Sequence, residues 1–103
     1  MSKDASGLVP RLKLQPVQVM TGHADSDGRL VLADEQLVAV LVRLEDEEYG
    51  PKRGGWFLEA GFGPCGVSMP PVFATLDDAV TWLTQQLKFY AIGVQSRAKL
   101  DYH

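Results

Sequence analysis

A chain of 103 residues with one cysteine, two histidines and no long apolar run excludes several classes of protein at once. Cys65 alone cannot build a disulfide framework, which makes a reducing, cytoplasmic setting the expectation. No apolar stretch approaches the roughly 20 residues that span a bilayer, so no membrane role is expected. The opening segment, MSKDASGLVPRLK, lacks the apolar centre of a secretion signal. Positive charge is also scarce where a nucleic-acid reader would need it. The formal net charge is −3, and residues 25–48 hold eight acids against Arg29 and Arg43. A duplex-binding surface needs several Lys or Arg on one face to replace condensed counterions. Nucleic acid is therefore not the expected partner, with a patch of Arg11, Lys13, Arg97 and Lys99 near the two ends as the alternative.

What is present is an ordinary globular composition. Hydrophobic residues make up 46% of the chain, and a domain of this length buries about two-thirds of its unfolded surface. The clearest element follows Phe73. Thr75 stands at an N-cap position and Asp78 three residues on, a variant of the capping box. Asp77 and Asp78 put negative charge where the free amides of a first turn favour it. Leu76, Ala79, Val80, Leu83, Leu87 and Tyr90 then recur at helical spacing. Trp82 and Phe89 widen this stripe, as core packing rather than a ligand platform. Gly93 is the expected stop.

Everything before that helix reads as strand or turn. Leu12–Met20 alternates but contains Pro16, which suits an edge strand. Arg29–Ala33 and Gln36–Leu44 follow, joined by Asp34-Glu35 as a tight connection. The second of these is apolar on both faces: Val38, Val40, Val42 and Leu44 on one, Leu37, Ala39 and Leu41 on the other. Glu45–Gly55 reads as a charged, glycine-rich loop, Trp56–Gly61 as a strand and Phe62–Pro71 as an irregular run of breakers. Strands in succession before one helix predict an α+β domain, a small antiparallel sheet of three to four strands with a C-terminal helix on one face. Residues 1–11 are expected to be a flexible arm, 12–93 the domain and 94–103 a tail.

One helix covers one face of a sheet. The other face is expected to carry Leu37, Ala39, Leu41 and Phe57, an apolar surface rarely left open on a soluble monomer. Covering about 500 Å² of it would contribute on the order of 12 kcal/mol before association costs. The leading expectation is thus a protein-interaction or self-association module, a homo-oligomer or a docked protein partner. Leu37, Leu41 and Phe57 would form its interface, with Glu47 and Glu48 of the acidic loop on the rim.

The chemistry-bearing groupings are weaker. His23, Asp25, Asp27, Gly28 and Asp34 match calcium-loop spacing in part, but His23 replaces the first carboxylate and no helices flank the run. Turn formation explains Asp and Gly there more simply. Cys65 sits after a strand where a nucleophile could stand, yet only His23 and His103 offer a base. A small metal protein or cysteine enzyme using these residues is the remaining alternative. No catalytic residue and no cofactor are expected.

The sheet followed by a helix opening FATLDDAVTWL resembles the sheet-plus-helix arm-binding domains of phage-type integrases, over about Gln36 to Leu87. The resemblance implies DNA reading from the sheet. The matching strands here carry Arg43 and little else basic, so that function is not carried over to this chain.

Overall fold

Five strands fold back on one another in chain order, and a long helix closes the sequence. The computed structural model describes residues 11–22 and 25–101, with side chains to Lys88. The strands are β1 (Leu12–Gln18), β2 (Asp27–Ala33), β3 (Gln36–Arg43), β4 (Trp56–Gly61) and β5 (Val72–Phe73), followed by α1 (Leu76–Asp101). All neighbours are antiparallel and the sheet order is β1-β2-β3-β4-β5. The α+β architecture is the expected one, with five strands instead of three or four. The additional strand, β5, is two residues long and emerges from the proline-rich run, where no alternation could announce it.

The β2–β3 turn is as tight as the sequence suggests. Asp34 and Glu35 both adopt positive φ, 51° and 69°, the pairing that a two-residue hairpin needs to match strand twist. Neither residue is glycine, and each left-handed non-glycine residue costs on the order of 1 kcal/mol. Replacing the pair by Asn-Gly is expected to stabilise the protein by about 1 kcal/mol. A chemical-denaturation midpoint would register the gain, and a loss would contradict this turn geometry.

Two bulges break the period of two. Between β2 and β3, Val31 pairs with Ala39 and Leu32 with Leu37, leaving Val38 as an extra residue. Between β3 and β4, Val40 pairs with Ala60 and Leu41 with Leu58, leaving Glu59 extra. Val38 and Ala39 are consecutive and both buried as a result. This overturns the expected grouping on β3. Ala39 and Leu41, placed on the open face by simple alternation, are fully buried in one cluster with Leu58, Ala79 and Leu83. Leu41 is core, not interface.

The helix forms where its cap predicts. The Asp78 amide donates to Thr75 Oγ1 at 3.1 Å, and Ala79, Leu83 and Leu87 bury the stripe. Phe73 and Trp82 meet with ring centroids 5.7 Å apart at 53°, so Trp82 is a packing residue; the Phe89 and Tyr90 side chains lie outside the described residues. α1 continues through Gly93 to Asp101 and takes in most of the expected tail. A glycine inside a helix costs only about 1 kcal/mol, and Gln95, Arg97, Ala98, Lys99 and Leu100 beyond it are good helix formers. Residues 1–10, assigned to the arm, lie outside the described residues.

The run after β4 folds inward. Gly63–Cys65 form a 3-10 turn, the Phe62 amide donates to the Val38 carbonyl at 2.9 Å, and Cys65 is fully buried in the core cluster. Gly61 makes this possible by close approach. A Cβ on it would strike the Cys65 carbonyl, 2.6 Å from its carbon and 3.0 Å from the Gly66 amide nitrogen.

Candidate interaction face

The register places one row of residues across the whole sheet on the side away from the core cluster. Val17 pairs with Gly28, Gly28 with Val42, Val42 with Phe57 and Phe57 with Val72. The Gly28 position is filled by a neighbour, since a Cβ there would lie 2.6 Å from Val19 Cγ2. Leu30, Leu32 and Val40 extend the face and are half-buried, while Leu37 and Val72 are 40% and 38% exposed. Alternation and the Val38 bulge together send Leu37 and Phe57 to this side. Of the three residues expected at an interface, Leu37 and Phe57 stand on this side of the sheet, and Leu41 is buried in the core on the other.

One end of the face is walled by the connection between β3 and β4. Residues 45–55, expected as a charged, glycine-rich loop, contain 3-10 structure over Glu47–Lys52, kinked at Gly50, whose φ is 56°. Asp46 caps it, its Oδ1 accepting from the Glu48 amide at 2.9 Å, and Arg53 Nε donates to the Glu45 carbonyl at 2.9 Å. Asp25 ties this turn to the β1–β2 connection. It is 4% exposed; Oδ1 accepts from the Glu45 amide at 2.8 Å and Oδ2 from the Tyr49 hydroxyl at 2.6 Å. Thr21 Oγ1 donates to its backbone carbonyl at 2.8 Å. A buried carboxylate is tolerated because its oxygens are occupied in this way.

The same contact holds the Tyr49 phenol in its protonated form. Its pKa is pushed up to about 12, chiefly by donating to Asp25, then by desolvation and by the charges of Asp25, Asp46 and Glu48. A folded-state value above the ordinary value of about 10 means that this contact stabilises the fold fully below pH 10 and ceases to do so as pH rises through 12. Ultraviolet difference spectroscopy should show one of the three tyrosines ionising near pH 12. In Asp25→Asn it should return toward about 10. A normal titration of all three in the parent protein would break the assignment.

Between these walls lies a pocket of about 310 Å³, bounded by Val42, Leu44, Phe57 and Val72 on its apolar side and by Thr21, Asp25, Tyr49, Lys52 and Glu59 elsewhere. Sequence reasoning missed Asp25, Tyr49 and Lys52 as neighbours of this face. A lone Asp in a turn and a Tyr 24 residues away give no local signal of contact.

The other candidates are dispersed. Asp27 pairs with Arg29 at 2.9 Å, and Arg29 also lies 5.0 Å over the Trp56 ring. Asp34 stands at the far end of β2, about 20 Å along the strand, so the calcium-like spacing does not wrap a common centre. His23 lies outside the described residues. Among the described residues no three His, Cys, Asp or Glu side chains gather closely enough to hold an ion. Burial pushes the Cys65 thiol's pKa up, which opposes thiolate chemistry. Arg11 and Lys13 are exposed, and the Arg97 and Lys99 side chains lie outside the described residues. Glu47 and Glu48 are exposed on the turn beside the pocket. Among the described residues no helix is long and apolar enough to cross a membrane.

No family model, curated protein or solved structure matches this chain. Its function has to be sought in the chemistry of its own side chains.

Proposed function

We propose that the protein is a non-catalytic interaction module that docks a protein surface, a second copy or another chain, on the sheet face opposite α1. The observation that carries this reading is the row Val17, Gly28, Val42, Phe57 and Val72 across the five strands, apolar on four of them, ending at a pocket lined in part by Val42, Leu44, Phe57 and Val72. Val42 is already buried. The apolar surface left to cover is that of Leu37 and Val72, 40% and 38% exposed, with half-buried Val17 and Phe57, worth about 25 cal/mol per Å². The one thiol is sealed in the core, which suits a protein working in a reducing cytoplasm.

Sedimentation equilibrium with the parent chain and Phe57→Glu tests the reading. Phe57 is half-buried and outside the core cluster, so the substitution should leave most of the stability intact while abolishing association. A strictly monomeric parent at high micromolar concentration that binds neither an apolar dye nor a peptide with an apolar anchor would remove the proposal.

A further inference from the structure

We infer that the pocket beside Asp25 and Tyr49 receives an apolar side chain from a basic, extended peptide segment of a partner protein. This rests on the docking reading above and specifies what docks. The volume, about 310 Å³, sits at the lower end of the range for small-ligand sites, about 300–1,000 Å³. It has room for a single aromatic or long aliphatic side chain and none for a folded element. The floor is fixed, because Val42 and Leu44 are 1% and 5% exposed and held on or beside β3. Among the polar groups of the lining, Asp25 and Tyr49 are already engaged, since Tyr49 and the Glu45 amide donate to Asp25. The accessible carbon of the lining is supplied chiefly by half-buried Phe57 and by Val72, 38% exposed. The pocket also adjoins the apolar row through Val42, Phe57 and Val72, so its occupant belongs to something that lies along the face.

Charge selects the kind of segment. Glu59 lines the pocket, and Glu45, Asp46, Glu47 and Glu48 sit on the adjoining turn. The opposing bases are fewer and partly engaged. Arg43 lies 3.8 Å from Glu45, Arg53 donates to the Glu45 carbonyl, and Lys52 stands on the pocket wall. Glu59 is exposed on the pocket lining, and Glu47 and Glu48 are exposed on the turn that supplies Tyr49 and Lys52 to it. A segment with an apolar anchor between lysines or arginines satisfies both features, and acids placed on a rim act mainly by steering and selecting such a partner.

The test is an amide-shift titration of the isotope-labelled full chain with a short peptide carrying a central phenylalanine flanked by lysines. Saturable shifts are expected at Val42, Phe57 and Val72. Replacing the peptide's phenylalanine by glycine should weaken binding about tenfold, and the E47Q/E48Q variant about fivefold at low salt, with an unchanged melting temperature. Equal binding of a glutamate-flanked peptide would overturn the basic partner while leaving the docking face in place. No shift, together with concentration-dependent self-association lost in Phe57→Glu, would give the face to a second copy and overturn the peptide alone. No shift in a strictly monomeric protein would overturn both.

Discussion

Replacing Gly61 with alanine is expected to lower stability by about 4 kcal/mol, among the largest effects of any single substitution in this chain. The added carbon has no flexible side chain to displace. It meets the backbone of Cys65 and Gly66, at 2.6 Å from the Cys65 carbonyl carbon and 3.0 Å from the Gly66 nitrogen. Relief requires moving the 62–66 segment off β4, which withdraws the fully buried Cys65 from the core. For a domain of this size, the melting temperature should fall by about 15–25 °C. Calorimetry reads the effect directly. A change below about 1 kcal/mol would mean that the turn does not fold back on the strand in this way.

Leu41→Ala should cost about 3–4 kcal/mol, because its side chain is fully buried in the cluster with Leu58, Ala79 and Leu83 and its removal leaves a cavity. Leu37→Ala, four residues earlier on the same strand, should cost no more than about 1 kcal/mol, since Leu37 is 40% exposed. Urea denaturation of the two variants gives the contrast in one measurement. Comparable losses would return both leucines to the same face and undo the bulge at Val38.

That pair of leucines also marks how far the sequence carries. The fold class was legible, because the Thr75 cap, the stripe through Leu83 and the succession of short alternating runs are local signals. The Asp34-Glu35 hairpin was legible for the same reason. The side of β3 that faces the helix was not. Both faces of Gln36–Arg43 are apolar, so alternation gives two sets without saying which is covered, and a bulge moves Val38 from one set to the other. A bulge depends on the partner strand's register and leaves no mark in the residues that form it. The Asp25–Tyr49 contact was hidden for a related reason, since it joins two turns that touch only once β1, β2 and β3 are in place.

The strictly sequential strand order has a kinetic consequence. Each strand pairs with the one made just before it, so no pairing waits for a distant segment to return. The widest gap inside the β1–β4 meander is the 12-residue connection from β3 to β4, and that connection closes early through the Leu44–Gly55 and Gly54–Leu44 backbone hydrogen bonds. Loop-closure entropy grows only slowly with length and is met here in small instalments. Folding of the sheet can proceed as a zipper from the Asp34-Glu35 turn outward, with α1 docking once β3 and β4 present Leu41 and Leu58. Pairing only between chain neighbours keeps the sequence separations shorter than in a sheet built on crossovers, and so favours faster folding than such a sheet of the same size.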